Sequence, residues 1–100
     1  MNCKAINKNK LISKLNKATF WNCDISNMDY EKNKNTIIKR IIQSGTENDE
    51  IIMWKLYSYD EIKKIAIKLE NLNEDRLRYM AFVLELDKKD FKCYEKMQFP

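Results

Sequence analysis

The chain has one glycine, Gly45, and one proline, Pro100, among its 100 residues. β-Sandwiches and barrels need a turn after every short strand, and glycine and proline supply most of those turns. A chain with one of each is therefore expected to be all-α, with helices joined by short polar loops. Its length fits one domain with a modest core. We expect a compact bundle of about five short helices with a basic N-terminal arm.

The charges are distributed unevenly along the chain. Residues 1–17 carry five lysines and no acid, although the net charge of the whole chain is +4. Such a segment has little apolar surface to bury and gains order mainly when a partner supplies charge. We predict a partly mobile arm over 1–17 with a short helix at 10–16, a single helical domain over 18–96, and a C-terminal tail over 97–100.

Apolar spacing and capping residues predict the first long helix. The residues at 37, 38, 41 and 42 are all isoleucine and share one face of a helix with Tyr30. Asp29 suits the N-cap, because its carboxylate accepts amide hydrogens of the first turn, and Gly45 suits the position after the last turn. The prediction is a helix over 30–44.

A second helix is predicted to begin at Thr46, where Asp49 stands at capping-box spacing. Residues 51–59, IIMWKLYSY, are apolar almost all round, which is typical of a buried helix. We expect 51–57 to form the centre of the core, with Trp54 as its largest contributor.

Further caps predict three more helical segments. Ser58 with Glu61 forms a capping box, Asn73 suits an N-cap, and Asp87 suits the cap of a last turn. We expect these segments to bury Ile62, Ile65, Ala66, Leu69, Leu77, Met80, Ala81 and Leu84, with Phe82 and Val83 widening the last face.

The sequence contains no recognisable catalytic, cofactor or metal site. It has no histidine, and Cys3, Cys23 and Cys93 are too widely spaced for a zinc site. Cys23 is the nearest candidate nucleophile, but the carboxylate of Asp24 beside it disfavours a reactive thiolate, so a structural role is preferred. One glycine excludes a glycine-rich phosphate loop. We expect no enzyme activity and no cofactor.

Cellular location is inferred from the same composition. The odd cysteine count, the lack of a signal segment and the absence of an apolar run of about 20 residues predict a reduced, cytoplasmic, bacterial protein.

Aromatic residues are more numerous than one small core needs, and aromatic side chains favour protein interfaces. The acids at 46–62 would complement a basic partner. The alternative explanation for the surplus is that these aromatic residues complete a thin core and expose only the edges of their rings. The candidate partner-binding residues are Trp21, Asp24, Asp29, Tyr30, Glu47 and Glu50.

Nucleic-acid binding is the other function that the charges allow. Lysines of the arm and of the first long helix could follow phosphates, although a net charge of +4 is mild and no helix has the Arg, Asn and Gln cluster of direct base readout. The candidate residues are Lys8, Lys10, Lys14, Lys17, Lys34 and Arg40.

Four segments together resemble a known pattern: FWNCD at 20–24, MDYEKNK at 28–34, IIKRII at 37–42 followed by Gly45, and FKCY at 91–94. They are similar to a family of small uncharacterised bacterial proteins, typically encoded beside AbiEii-type nucleotidyltransferase toxins. Asn22, Tyr30 and Lys39 depart from that pattern, in which Asp, Trp and Glu are expected.

The resemblance implies a non-enzymatic antitoxin-like or regulatory protein that binds and masks a partner toxin, with a toxin of the nucleotidyltransferase type as the candidate that the association names. It transfers no catalytic residue. The alternative is a small helical DNA-binding transcriptional regulator. A structural or host-interaction protein from a mobile element is a third class.

Overall fold

The computed structural model describes residues 8–21 and 23–94. Within these ranges there is no β-strand, and the predicted all-α class is confirmed. Two 3₁₀ turns, Ile25–Asn27 and Lys88–Asp90, accompany five helices: α1 (Lys8–Ile12), α2 (Lys34–Ser44), α3 (Glu47–Leu56), α4 (Tyr59–Ala66) and α5 (Glu74–Val83). Cys3, Asn22, the tail at 97–100 and the side chain of Lys8 lie outside what is described.

Helix α2 lies at the centre of the fold and contacts α3, α4 and α5. Its four isoleucines have no solvent exposure, as the spacing predicted. Burial of one such side chain contributes about 1.5–3 kcal/mol, so this stripe is a principal source of stability.

The start of α2 differs from the prediction of a helix beginning at 30. The carboxylate of Asp29 accepts the backbone N–H groups of Glu31 and Lys32, each at 3.0 Å, and therefore caps a separate turn. The side chain of Asn33 turns back to accept the N–H of Asp29 at 2.9 Å. These local bonds hold 30–33 in a turn, and α2 begins at Lys34.

Gly45 ends α2 as expected, but in an extended conformation with φ −72° rather than a left-handed one. Its N–H donates to the Ile41 carbonyl at 2.8 Å. A Cβ at this position would lie 2.6 Å from the same carbonyl oxygen. Glycine is therefore required by a close approach, not by backbone handedness.

Two predicted core assignments are wrong. Ile51 is 49% exposed and Trp54 is only half-buried, while Ile52, Met53 and Leu56 are buried in their place. Phe82 is 82% exposed and does not widen the buried face of α5. On a helical wheel, Ile51 and Phe82 lie opposite the buried stripes of their helices, and packing against α2 buries only one side of each.

The predicted caps of the later elements are confirmed. Ser58 and Glu61 form a complete capping box at α4, Asn73 accepts the Arg76 N–H at 2.8 Å, and Asp87 caps the final 3₁₀ turn. Thr46 and Asp49 likewise form the capping box of α3.

The described part of the predicted arm packs on α3. Ile12 and Leu15 are buried in the main core, and α1 contacts α3. Helix α1 ends at Ile12, earlier than the 10–16 segment predicted. In the part of the chain that the structure describes, no helix is long and apolar enough to cross a bilayer.

Candidate protein-binding surface

We call the exposed apolar side chains of α3, α4 and α5 the aromatic face, because contacts among these helices link the set at two places. Four of the five large hydrophobic residues that are exposed among those described belong to it, and half-buried Trp54 completes it. Its members are Ile51, Trp54, Tyr59, Tyr79 and Phe82.

Two sets of contacts join α3 to α5 across this face. At one end, Tyr79 Oη donates to Glu50 Oε2 at 2.7 Å. At the other end, the Trp54 ring stacks on Tyr59 at a centroid distance of 6.5 Å, and Tyr59 Oη donates to the Leu84 carbonyl. Ile51 and Phe82 lie in sequence between these links, on the outward sides of α3 and α5.

A salt bridge and hydrogen bonds fix the Tyr79 end of the face. Arg76 Nη2 lies 3.3 Å from Glu50 Oε1, and the guanidinium is 6.0 Å from the Tyr79 ring centroid. The hydrogen bond to Glu50 raises the pKa of Tyr79, so its hydroxyl remains a donor at neutral pH. A rigid polar end beside an exposed apolar surface is common at protein interfaces.

Acids outnumber bases at this end. The first turns of α3 and α5 carry Glu47, Glu50, Glu74 and Asp75. Arg76 pairs with Glu50, and Arg78 pairs with the two acids of α5 at 3.5 and 3.6 Å. Glu47 is exposed and has no ion pair among the described residues. The surplus negative charge favours a partner with a basic rim.

The six partner-binding residues predicted from the sequence lie in three places. Trp21 is 78% exposed and lines a depression of about 340 Å³ with Asp24. Asp24 accepts the Ser26 hydroxyl at 2.6 Å, which lowers the pKa of its carboxyl and caps the turn that follows. Glu47 and Glu50 lie at the Tyr79 end of the aromatic face.

Asp29 and Tyr30 have mainly structural contacts. The Tyr57 hydroxyl donates to the Tyr30 carbonyl at 2.8 Å, and the two rings pack 6.4 Å apart. Burial raises the pKa of both tyrosines. Asp29 caps the turn before α2. These two residues therefore hold the segment 29–33 against the core.

The six candidate nucleic-acid residues lie on α1, on the segment after it and on α2. Lys17 lines the depression beside Trp21, whereas Lys34 forms a 3.1 Å ion pair with Glu61. Arg40 is half-buried, with Nη1 3.4 Å from the Thr19 carbonyl. DNA binding through this set stays a prediction, since no contact on the described residues brings all six together.

In the described ranges, no group of three or more Cys, Asp or Glu side chains is arranged so that it could hold a metal ion. Cys23 is half-buried and Cys93 is buried, where burial raises the pKa of its thiol.

Comparison with protein families gives one match, a family of unknown function designated DUF6922, over residues 15–66. The chain belongs to this family. The matched region runs from the segment before Trp21 to the end of α4, and includes the α3 half of the aromatic face. No curated protein and no solved structure matches the chain.

Sequence reasoning missed Tyr79 and Phe82 as candidate binding residues. The signal was available in the spacing of α5, where Leu77, Met80, Ala81 and Leu84 define the buried stripe and leave Phe82 on the opposite side. A single exposed apolar residue is common on protein surfaces, so Phe82 gains weight as a binding candidate only together with the other exposed apolar residues of α3 and α4.

Proposed function

We propose that the chain is a non-enzymatic, antitoxin-like protein that binds a partner toxin through the aromatic face and thereby masks it. The observation that carries the proposal is the exposure of Phe82, which is 82% exposed on α5, together with that of Tyr79 on the same helix and Ile51 on α3, at 42% and 49%. A large aromatic side chain buries about 150–250 Å² when a partner covers it. Aromatic anchors surrounded by polar groups are the usual hot spots of interfaces.

The charge of the face suits a nucleotide-handling toxin. An enzyme that binds anionic nucleotides or RNA needs a basic surface around its active site. The surplus acids at the Tyr79 end, with Glu47 free of any described ion pair, complement such a surface. Covering it would exclude the substrate, which is the simplest way for a small protein without catalytic groups to neutralise an enzyme.

Co-expression with the neighbouring gene product tests the function. We expect a tagged chain to co-purify with that protein and to relieve its toxicity. A chain that neither captures the neighbour nor restores growth would overturn the proposal.

Matched alanine variants test the surface. We expect Phe82→Ala to weaken binding at least tenfold, the change that corresponds to a hot spot of about 1.4 kcal/mol or more, without lowering stability. Trp21→Ala removes the other strongly exposed aromatic residue and is expected to have a smaller effect. If only Trp21→Ala loses binding, the masking function still holds, but the contact lies at the depression beside Asp24 and not on the aromatic face.

A further inference from the structure

A second surface, separate from the aromatic face, lies between α2 and α4. It is an open groove of about 450 Å³ with an apolar floor that includes Ile65 and Leu69. Its walls carry Lys34 and Lys39 from α2, and Lys64 and Lys68 from α4 and the turn that follows it. We call it the lysine groove.

Only one of these lysines is neutralised. Lys34 Nζ lies 3.1 Å from Glu61 Oε2, where both groups are partly exposed. This contact and the Ser58 N–H lower the pKa of Glu61, with the Ser58 bond the larger cause, so the carboxylate is charged at neutral pH. Lys39, Lys64 and Lys68 have no ion pair with any described carboxylate. The groove therefore keeps three uncompensated positive charges.

The three lysines are exposed, and they lie on both sides of one concave space, with Lys39 on α2 opposite Lys64 and Lys68. Charges of one sign that line a concavity attract an anion more strongly than the same charges spread over a flat surface. The three ammonium groups are point donors, which recognise phosphate oxygens without a fixed geometry.

The arrangement favours a chain of phosphates over a single nucleotide. Lys64 is in the last turn of α4 and Lys68 is in the turn that follows it, so the two cations, with Lys39 on the opposite side, lie at separate positions along the groove and can contact more than one phosphate. The lining contains no aromatic ring on which a base could stack, and Asn35 is its one side-chain amide. Contacts to the backbone position a nucleic acid without reading its sequence.

We infer that the lysine groove binds the phosphodiester backbone of a nucleic acid, in a sequence-independent manner, through Lys39, Lys64 and Lys68. The sequence-based set of candidates contained none of these three. The inference does not depend on the aromatic face or on toxin masking, because the two surfaces have different residues and different ligands.

Fluorescence anisotropy with labelled duplex DNA and single-stranded RNA of equal length tests the inference. With three phosphate contacts, the logarithm of the binding constant should fall against the logarithm of salt concentration with a slope of about −2.7 for the duplex and about −2.1 for the single strand. Duplex affinity should thus drop about 40-fold between about 50 and 200 mM salt. The nucleic acid that binds more tightly at about 50 mM salt is the preferred ligand.

Charge-matched variants locate the site. Replacing Lys39, Lys64 and Lys68 by Gln should weaken binding at about 50 mM salt at least tenfold and remove most of the salt dependence. The control variant Lys55→Gln, Lys88→Gln, Lys89→Gln changes the net charge equally at exposed positions outside the groove. It should retain affinity within about twofold, and circular dichroism should show both variants folded.

Four results would overturn the inference. One is the absence of binding at about 50 mM salt. A second is equal weakening in the groove and control variants, which indicates diffuse attraction only. A third is loss of binding in a Lys10→Gln, Lys14→Gln, Lys17→Gln variant while the groove variant binds normally. The last is tighter binding of ATP than of either nucleic acid.

Discussion

Asp49 is the residue on which the N-terminal segment depends. Its carboxylate is completely buried and accepts the Asn16 N–H at 2.8 Å, the Thr19 hydroxyl at 2.7 Å and the Thr46 N–H at 3.0 Å. The same side chain thus completes the cap of α3 and ties residues 16–19 to that helix. A buried carboxylate is tolerated because every one of these donors points at it.

Asp49→Ala should lower the free energy of unfolding by about 3 kcal/mol, since it removes bonds to a charged acceptor and leaves the buried Thr19 hydroxyl and the part-buried Asn16 N–H without it. Urea unfolding measures the change. Glu47→Ala, an exposed acid in the same turn, should alter stability by less than about 0.5 kcal/mol. A loss below about 1 kcal/mol for Asp49→Ala would mean that 16–19 is held mainly by apolar packing.

The sequence predicted one half of this residue's role. The capping box is local, because Thr46 and Asp49 are three residues apart, and spacing alone identifies it. The bonds to Asn16 and Thr19 span 33 and 30 residues. No local pattern encodes such a contact, and an acid at a helix N-terminus is ordinarily exposed.

At the scale of elements, Arg76 of α5 joins three helices. Its Nε donates to the Ile42 carbonyl at 2.6 Å and its Nη2 to the Ile41 carbonyl at 2.7 Å, which satisfies two acceptors in the last turn of α2. The same guanidinium pairs with Glu50 in the first turn of α3. A cation at a helix C-terminus and an anion at the next N-terminus both complement the helix dipoles.

Arg76→Ala should destabilise the fold by about 2–3 kcal/mol, because two charge-assisted hydrogen bonds and a partly buried ion pair are lost together. Arg76→Lys should recover only part of this, since an ammonium lacks the planar fork. Arg78→Ala provides the control within α5: its pairs are exposed and contribute about 0.5 kcal/mol or less. Equal losses in thermal unfolding for the two alanine variants would contradict the assignment.

Helices were easier to predict than their faces. Caps at Thr46, Ser58 and Asn73 and the isoleucine stripe of α2 are visible in short windows of sequence, and the structure confirms them. Ile51 and Phe82 were assigned to the core because they are apolar. Exposure depends on which side meets α2, and that was decided by tertiary packing.

For the whole molecule, the core extends into the segment predicted as an arm. Ile12 and Leu15 are buried with Phe20 among residues of α2 to α5. The domain that belongs to the DUF6922 family over 15–66 therefore also buries residues outside the matched region, from α1 and from α5. Partial mobility of the arm over 1–17 stays a prediction, although its apolar residues at 12 and 15 pack in the core.

Ile12→Ala and Leu15→Ala should each lower the free energy of unfolding by about 2–4 kcal/mol, the usual result of removing a buried aliphatic side chain. Lys14→Ala, at an exposed position between them, should change it by less than about 0.5 kcal/mol. Calorimetry should record one cooperative transition in every variant. Wild-type stability in both aliphatic variants would show that α1 is not part of the cooperative unit.

The long sequence separation of the Arg76 contacts also implies an order in which parts of the fold form. Its bonds to α2 join residues 34 and 35 positions apart, so they close a long loop and form only when α5 has docked. By contrast, the connection between α2 and α3 consists of Gly45 and Thr46 alone, so these two helices can meet without closing a long loop. Because such contacts form late, we expect them to be absent from the transition state, so that Arg76→Ala mainly speeds unfolding and changes the folding rate little in stopped-flow measurements. A late-closing contact of this kind lengthens the lifetime of the native state, a property that would serve the masking role proposed above.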